Sequence, residues 1–253
     1  MTTRLQLGAS RLEELDSKVL KVFLDKSWIH LGDPEHKKDS FKGNSIFYFF
    51  DLFRKYSISY ILKESFQKVF NCNNKGFRSK KLEIDKLYSH TNFKEFYYRK
   101  RDVLPFDNIS IDYIFSEHFF EHLFFDEALS LLKECYRILK PFGVIRTCVP
   151  DADLRTYEPP ESVGCPDVKL PYTSRSKHKT RWSVYSFPDA LRIAGFEPIP
   201  LRYCDKFGQY VHVNPSDNRK IYEHCPDQEM IFDFSYIRRI DSLIIDGIKI
   251  ISK

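Results

Sequence analysis

Short apolar segments alternate with longer amphipathic segments along most of the chain. The apolar segments have the length and composition of β-strands, and they are RLQLG (4–8), WIHLGD (28–33), IDYIF (111–115), VIRTCV (144–149), EPIPLRYC (197–204) and DSLIIDGIKI (241–250). Between them, apolar residues recur at helical spacing in residues 11–26, 126–139 and 186–195. This alternation predicts an α/β fold in which helices cover both faces of a largely parallel sheet.

The most regular helical pattern begins near Asp126. Its apolar stripe consists of Ala128, Leu131, Leu132, Cys135 and Leu139. Asp126 is predicted to cap the helix, because a carboxylate there can accept hydrogen bonds from the free backbone N–H groups of the first turn. Pro141 and Gly143 are predicted to end the helix, because proline cannot continue the backbone hydrogen-bond ladder.

Ionisable side chains follow directly on the predicted strand 111–115. Period-two alternation predicts that Ile111, Tyr113 and Phe115 share one face of this strand. The chain continues as SEHFFEHL, which contains Ser116, Glu117, His118, Glu121 and His122. Ligands of open α/β sheets bind in the crevice at the carboxyl ends of the strands. These residues are therefore candidates for a functional site.

Composition excludes several classes of protein. The chain is 42% hydrophobic and 30% charged, which is typical of a folded domain rather than a disordered chain. No apolar run approaches the roughly 20 residues that cross a bilayer, and MTTRLQLGAS lacks the apolar core of a signal peptide. The six Cys form no C-x-x-C pair, so we predict reduced thiols, a cytoplasmic location and no metal site.

Positive charge is concentrated in one segment. Between Lys37 and Arg101 there are 16 basic and 6 acidic residues, against 24 and 29 in the rest of the chain. The segment also contains Phe and Tyr at helical spacing, which predicts a basic helical insertion over about residues 37–98. Such an insertion is compatible with a cap over the site, with contact to an anionic membrane surface or partner, or with nucleic-acid binding. We favour the cap, because Phe residues at core spacing usually pack against their own protein.

Residues 102–151 carry a resemblance to a known family. The segments LPFDNISIDYIFSEHFFEHL and ALSLLKECYRILKPFGVIRTCVPD resemble the central block of class I S-adenosylmethionine-dependent methyltransferases in residue type, order and spacing. The flanking segments LQLGAS, SWIHLGD, YSFPDALRIAGFEPIP and RRIDSLIIDGIKI resemble the glycine loop, the second strand with its acid, a late helix and strand, and the closing strand. The last of these is similar to small methyltransferases of bacterial polysaccharide pathways.

The resemblance implies a fold and a cofactor. The expected fold is a single domain over residues 1–253, with a Rossmann-like, mostly parallel seven-stranded sheet, helices on both faces, and the helical insertion after the second strand. The expected cofactor is S-adenosylmethionine. The loop Gly8, Ala9 and Ser10 would contact its methionine end, although Ser10 stands where the family usually has a glycine. The alternative for Gly8 is that it simply ends a strand.

Two acids and the end of the fourth strand complete the implied cofactor site. Asp33 would accept the ribose hydroxyls, and the alternative is a plain surface Asp. Asp102, followed by Val103, would lie beside the adenine, and the alternative is a salt bridge to Arg99 or Arg101. Ser116 and Glu117 would lie where the cofactor and the acceptor meet. Apart from the glycine loop, the implied cofactor-site residues are therefore Asp33, Asp102, Val103, Ser116 and Glu117.

The catalytic candidates are the histidines after the fourth strand. Methyl transfer mainly requires that two reactants be held in line, and a hydroxyl nucleophile also needs a base. His118 is the first candidate for that base, His122 the second, and Glu121 would orient either imidazole. The alternative for His122 is a purely structural role in capping or packing the next helix.

Residues 150–181 form a Pro-rich, weakly patterned region that is a candidate loop or lid. Asp151 at its start either faces the site or forms a turn. The basic stretch SRSKHKTRW (174–182) would receive an acidic or phosphorylated acceptor, or is simply a solvated charged loop, which is the more common case.

Three functions are consistent with these patterns. The first is S-adenosylmethionine-dependent methylation of an oxygen or nitrogen on a small molecule or glycan precursor. The second is a non-catalytic member of the fold that acts as a binding or scaffold protein. The third, RNA methylation, is less favoured, because the fourth strand lacks the Asn-Pro-Pro-Tyr type of motif common in amino-directed nucleic-acid enzymes of this fold.

Overall fold

The computed structural model describes residues 2–9, 12, 15–32, 85–96, 98, 102–154 and 178–250. The described strands are β1 Arg4–Leu7, β2 Trp28–Gly32, β3 Asn92–Glu95, β4 Ile111–Glu117, β5 Leu139–Val149, β6 Glu197–Cys204, β7 Tyr210–His212 and β8 Leu243–Ile248. The described helices are α1 Ser17–Phe23, α2 Phe125–Ile138, α3 Ser186–Ala194 and α4 Gln228–Phe232, with 3-10 turns at Phe120–His122 and Pro215–Tyr222. Residues 85–89 are also helical.

All eight described strands form one sheet in the order β3-β2-β1-β4-β5-β8-β6-β7. The five strands from β3 to β5 are parallel, and β8 runs antiparallel between β5 and β6. The order of β3, β2, β1, β4 and β5 is that of doubly wound nucleotide-binding folds, in which the order of the strands reverses between β1 and β4. The expected α/β, Rossmann-like and mostly parallel sheet is therefore confirmed.

The sheet has one strand more than the seven expected. The additional strand, β7, pairs antiparallel with β6 at the edge of the sheet. It is joined to β6 by a tight turn in which the Asp205 carboxylate accepts hydrogen bonds from the backbone N–H groups of Phe207 and Gln209. A three-residue edge strand buries little apolar surface, so it leaves only a weak periodic signal in the sequence.

The C-terminal part of the predicted insertion belongs to the sheet. Of the range 37–98, only residues 85–96 and 98 lie within the described chain, and β3 within them pairs in parallel with β2. This part of the predicted insertion is thus an edge strand rather than a helix, and the bounds of the insertion stay a prediction. The remainder of the insertion, and the Phe-rich helix predicted in it, lie outside the described residues.

Helix α2 confirms the predicted stripe but not the predicted ends. The stripe residues Ala128, Leu131, Leu132 and Cys135 are buried. The helix begins before Asp126, and the Glu127 carboxylate accepts a hydrogen bond from the Phe124 backbone N–H, 2.8 Å away. It ends at Ile138, and Leu139 already begins β5. The burial of strand β5 thus overrides the helical pattern three residues before Pro141.

Strand β4 lies in the middle of the sheet and is buried along nearly its whole length. A register shift between Ile111 and Tyr113 turns Ile111 to the face occupied by Ile114, in the core under α2 and α3. Tyr113 and Phe115 face the opposite core, with α1. The expected face of Ile111 is therefore wrong, because a bulge breaks the alternation of a strand.

An ion pair is buried in the second core. Arg146 and Asp246, on neighbouring strands β5 and β8, are both fully buried, and the Arg146 Nε donates to Asp246 Oδ1 at 2.7 Å. The rest of the guanidinium donates to backbone carbonyls of Met230 and Ile231 and to the Tyr236 hydroxyl. These partners lie in the segment before β8, so the pair attaches that segment to the sheet.

None of the described helices is long and apolar enough to span a bilayer.

Candidate functional site

The loop after β1 is held close to the end of β2. Gly8 has φ +74°, and the backbone N–H groups of Gly8 and Ala9 both donate to the Leu31 carbonyl, at 2.9 and 3.2 Å. The missing Cβ of Gly32 leaves room for the Ala9 carbonyl, because a Cβ there would collide with its oxygen. Gly8, directly after β1, and Gly32, the last residue of β2, thus permit this tight turn. Ser10 and Asp33 lie outside the described residues.

A phenyl ring from the end of β4 covers Gly8. A Cβ on residue 8 would lie 2.7 Å from Cγ and Cδ2 of Phe119. The ring therefore occupies the space beside the loop that the sequence predicts to contact a cofactor. Phe119 was not among the predicted site residues, because its position depends on the meeting of β1 and β4 rather than on any local pattern.

Ser116 lies at the switch point of the sheet. Its Cα is paired with Leu7 of β1 on one side and Thr147 of β5 on the other. The side chain is buried, and its Oγ has no hydrogen-bond partner among the described residues. An unsatisfied buried hydroxyl costs about 1–3 kcal/mol, so this atom is a candidate for contact with a bound ligand.

Asp102 and Val103 lie on the loop that precedes β4. Asp102 is partly buried and interacts electrostatically with Tyr98, contributing to the raised pKa of that phenol, which is due mainly to burial. Val103 is exposed. The structure thus describes both residues, and their contact with adenine remains a prediction. The alternative partners Arg99 and Arg101 lie outside the described residues.

Glu117 anchors a loop from the other end of the chain. Its Oε1 accepts hydrogen bonds from the backbone N–H groups of Arg238 and Arg239, at 2.7 and 2.9 Å, and its Oε2 accepts from the Arg238 Nε at 2.7 Å. Only 4% of the Glu117 side chain is exposed. The carboxylate is therefore committed to the segment before β8, which is a structural role that the sequence did not indicate.

His118 adopts a left-handed backbone conformation with φ +51°. Its backbone N–H donates to the Cys148 carbonyl at 2.8 Å. Its Nε2 lies 2.9 Å from the Ser242 hydroxyl, and its Nδ1 lies 3.4 Å from Glu121 Oε1. Burial, followed by the charge of Arg239, lowers the pKa of His118 to about 4. The imidazole is thus held on both sides and is neutral near pH 7.

Glu121 is a buried acid in the 3-10 turn after β4. Only 2% of its side chain is exposed, and neither carboxylate oxygen has a well-formed hydrogen bond with the described residues. His118 and His122 approach Oε1 at 3.4 and 4.0 Å, which are ion-pair distances. Burial, with a contribution from the charge of Glu117, raises the pKa of Glu121 to about 8.

The segment at the end of the predicted lid lies against this turn. The backbone N–H groups of Lys179 and Thr180 donate to the Glu121 carbonyl, and the Thr180 hydroxyl donates to the Leu123 carbonyl at 3.1 Å. These bonds place His178 beside His122, with ring centroids 5.1 Å apart. His178 belongs to the basic stretch that the sequence singled out. That His178 lies against the turn after β4 could be found only from the tertiary structure. Residues 155–177 of the lid lie outside the described chain.

Asp151 has a structural role. It is buried, its Oδ2 accepts a hydrogen bond from the Cys204 backbone N–H at 2.6 Å, and its Oδ1 accepts from the Asp153 N–H at 3.0 Å. The Asp151 backbone also bridges to Trp182. Of the two alternatives for this residue, the structure therefore favours the turn.

The geometry gathers most of the described candidates at the carboxyl ends of β1 and β4. Gly8, Ala9, Ser116, Glu117 and His118 lie on these strand ends or directly after them. The 3-10 turn with Glu121 and His122 follows. The arrangement offers a tight backbone turn, a buried hydroxyl, a neutral imidazole and a desolvated carboxyl, which are groups suited to ligand binding and proton transfer.

Comparison with known proteins assigns the central part of the chain. Residues 77–147 match a family described as methyltransferase domain. This match spans β3, β4, α2 and most of β5. No curated protein sequence matches the chain.

Solved structures of low sequence identity are similar to this chain over most of its length. A Haloferax volcanii complex of the Trm112 methyltransferase activator with a methyltransferase shows 16% identity over 99% of this chain and 83% of that one, with a TM-score of 0.46. A SAM-dependent methyltransferase from Archaeoglobus fulgidus shows 15% identity over 98% of this chain and 86% of its own chain, with a TM-score of 0.46. A SAM-dependent methyltransferase from Aquifex aeolicus shows 13% identity over 83% of this chain and 78% of its own chain, with a TM-score of 0.41.

The family match and the strand order agree with the expectation from the sequence. The match supplies the sequence evidence for the segment around β4, and the order β3-β2-β1-β4-β5 supplies the nucleotide-binding architecture. Residues 77–147 are therefore similar to the methyltransferase domain family, and S-adenosylmethionine is the cofactor that this similarity implies.

Proposed function

We propose that the chain binds S-adenosylmethionine at the carboxyl ends of β1 and β4 and transfers its methyl group to an oxygen or nitrogen of a small molecule or glycan precursor. The observation that carries the proposal is the buried Ser116 hydroxyl, which lacks a partner among the described residues at the switch point of the sheet. Ligands of open α/β sheets bind at this point.

The described residues fit an adenosine-bearing ligand. Ser116 offers an unsatisfied hydrogen-bonding group, and the Gly8–Ala9 turn brings backbone to the edge of the crevice without a side chain at position 8. Asp102 would face the adenine, while Asp33 and Ser10 are proposed from the sequence alone. Glu117 is better explained as the anchor of residues 238–239 than as a direct cofactor contact. The bound cofactor supplies an activated methyl group on a sulfonium.

The protein's own contribution is to orient the acceptor and to receive its proton. His118 is the proposed base, because its ring follows β4 directly and is held by the Ser242 hydroxyl and the Glu121 carboxyl. Its left-handed backbone costs roughly 1–2 kcal/mol, and strained positions of this kind concentrate at functional sites. His122 remains the second candidate for the base.

The acceptor class rests on the resemblance to methyltransferases of polysaccharide pathways, which is an argument by analogy. We further propose that the basic segment 37–84 caps the site in the cytoplasm. Peripheral contact with an anionic membrane is the alternative for this segment, and nucleic-acid binding is less favoured.

A second function, ligand binding without catalysis, is favoured by one specific observation. The Phe119 ring fills the space beside Gly8. A scaffold protein would keep the ring there, whereas a methyltransferase must accommodate the methionine end of the cofactor beside it. The two functions therefore differ in whether the cofactor binds at all.

Isothermal titration with S-adenosylhomocysteine separates them. We expect saturable binding at one site per chain, and we expect Ser116→Ala to weaken it about fivefold, the effect of one lost hydrogen bond. Ser235→Ala is the matched control, because its exposed hydroxyl donates to the nearby Asp233 carboxylate, away from the proposed site. Absence of binding by the unaltered protein would leave the scaffold function.

The acceptor is then sought with a tritium-labelled methyl donor. Pools of monosaccharides, nucleotide sugars and polysaccharide precursors are compared with random RNA. Label in the sugar fractions, reduced by His118→Asn without a change in S-adenosylhomocysteine affinity, supports both the acceptor class and the proposed base. Label in RNA alone would support the third function instead.

A further inference from the structure

Three potential metal ligands meet where the end of the lid region contacts the turn after β4. One carboxylate oxygen of Glu121 and one ring nitrogen each of His122 and His178 lie within 4.8 Å of one another. Glu121 and His122 come from the same 3-10 turn, and His178 comes from a segment more than 50 residues later in the sequence. The cluster is therefore a product of the tertiary fold.

The carboxyl group of Glu121 lacks the partners that a buried acid requires. It is almost fully buried, and both oxygens are without a hydrogen bond from the described residues. A desolvated carboxylate is costly unless it is paired, protonated or bound to a metal. The imidazoles of His122 and His178 lie beside this carboxyl group. A metal cation bound by the three side chains would therefore compensate the buried negative charge.

The backbone holds the two halves of the cluster together. The Glu121 carbonyl accepts hydrogen bonds from the N–H groups of Lys179 and Thr180, at 2.7 and 3.2 Å. The Thr180 hydroxyl donates to the carbonyls of Phe120 and Leu123. These contacts fix His178 relative to the turn on both sides of Glu121, so ligand binding would order few additional residues.

The ligand set indicates which metal would bind. Two imidazoles and one carboxylate form the set of open zinc sites, in which a fourth position is left for water or a substrate oxygen. Metal–ligand bonds of about 2.0–2.2 Å place tetrahedral ligands roughly 3.3 Å apart, so a metal requires side-chain shifts of about 1 Å from the present arrangement. Hard cations such as Mg²⁺ prefer oxygen ligands and do not match this set.

His118 would support the site from outside. Its Nδ1 lies 3.4 Å from Glu121 Oε1, and its Nε2 contacts the Ser242 hydroxyl. A ligating carboxylate is commonly oriented by a neighbouring hydrogen-bond donor. The imidazole is placed to do this from the side of Ser242, and His122 approaches the same carboxylate oxygen at 4.0 Å.

We propose that Glu121, His122 and His178 bind one divalent transition-metal ion of the zinc class, with one coordination position open to water or to an acceptor oxygen. This site lies next to the proposed methyl-transfer site, but metal binding does not depend on that function. It can be measured in the absence of cofactor and acceptor, so failure of one proposal is distinguishable from failure of the other.

The test is titration of the full-length, tag-free protein with Co²⁺ after dialysis against a chelator. We expect one Co²⁺ per chain, with visible absorption bands of a nitrogen- and oxygen-ligated ion that disappear when Zn²⁺ is added. Glu121→Gln and His178→Gln should each weaken the affinity by roughly tenfold or more, because even loss of an outer-shell partner costs 10–100-fold. His90→Gln and His212→Gln, at exposed positions, are matched controls and should bind like the unaltered protein.

Thermal unfolding provides a second measurement. Zn²⁺ should raise the melting temperature of the unaltered protein and of both control variants, because an ion that binds only the folded state stabilises it. The same Zn²⁺ concentration should raise the melting temperature of His178→Gln by less, because this variant binds the ion more weakly. The proposal is overturned if Co²⁺ does not bind with a stoichiometry of one, or if Glu121→Gln and His178→Gln bind as tightly as the controls. If Glu121→Gln does not fold, the Co²⁺ affinity of His178→Gln decides between the outcomes, because the side chain of His178 is only half-buried.

Discussion

The phenyl ring of Phe119 packs directly on the backbone of Gly8, at the point where β4 and β1 end side by side. A Cβ on residue 8 would come within 2.7 Å of the ring, and the residue has φ +74°. Position 8 therefore excludes other amino acids for two separate reasons, one of them conformational and the other steric. The two can be measured separately.

We expect Gly8→Ala to destabilise the protein by both effects. The left-handed backbone costs an L-residue roughly 1–2 kcal/mol, and overpacking adds about 1–3 kcal/mol. Gly208→Ala is the matched control, since φ is +78° there and only the first cost is expected. Urea unfolding of the two variants measures the difference.

The steric part should disappear when the ring is removed. In a double-mutant cycle, Gly8→Ala in a Phe119→Ala background should cost no more than Gly208→Ala. Equal destabilisation by Gly8→Ala in both backgrounds would mean that the ring does not lie on the glycine. The same variants report on cofactor binding, because Phe119→Ala should leave the Gly8 turn accessible.

Glu117 offers a test between a structural and a cofactor-binding role. Its carboxylate accepts two backbone hydrogen bonds and one from the Arg238 guanidinium. We expect Glu117→Gln to destabilise the protein by about 1–3 kcal/mol, the effect of lost hydrogen bonds to a buried charged group. Arg238→Gln should cost less, because it keeps both backbone bonds and its side chain is partly exposed. Urea unfolding measures both effects.

Titration with S-adenosylhomocysteine completes that comparison. The anchoring role predicts that Glu117→Gln changes stability more than ligand affinity. A large loss of affinity with unchanged stability would instead support the contact with the cofactor that was expected from the sequence. Arg238→Gln serves as the reference for indirect effects of the loop.

The central part of the site could be predicted from the sequence, because it depends on local order. Ser116 and His118 directly follow a recognisable strand, and the carboxyl end of a strand in this fold is where ligands bind. The anchoring of Glu117 and the approach of His178 depend on contacts between distant segments. No periodicity reports such contacts, so these features could only be found in the structure.

The same distinction explains the outcome for the fold. The stripe of α2 was recognisable because side chains three and four residues apart share a helix face. The residue at which α2 ends was not, because pairing of Leu139 with Ile111 draws the chain into β5. The bulge that moves Ile111 to the other core has the same origin in strand pairing.

The buried Arg146–Asp246 pair should be strongly coupled. Arg146→Met leaves the Asp246 carboxylate buried beside the Tyr222 hydroxyl with no cation, and we expect a loss of about 3–5 kcal/mol. Combining it with Asp246→Leu should recover much of that loss, because no unpaired charge remains. Unfolding free energies of the two single variants and the double variant provide the coupling energy. Additive losses would show that the two side chains act independently.

His30 should make stability depend on pH. Its ring is buried between β2 and α1, where Nε2 donates to the Phe23 carbonyl and Nδ1 contacts the Gln6 side chain. Burial lowers its pKa from 6.5 to about 4. Between these values the unfolded chain binds the proton more tightly than the folded one, so the contribution is fully present above pH 6.5 and is lost as the pH falls toward 4. Its upper limit is about 3 kcal/mol.

The measurement is urea unfolding at several values between pH 7.5 and pH 4.5. His118 also has a lowered pKa, so the slope of the unaltered protein contains more than one histidine. The contribution of His30 is therefore taken as the difference between the unaltered protein and His30→Gln, which cannot titrate. We expect the variant to be less stable at pH 7.5, because it loses the packing of the ring, but to lose less further stability on acidification. Parallel pH profiles for the two proteins would show that residue 30 does not bind a proton on unfolding, and that its imidazole is already accessible to water in the folded state.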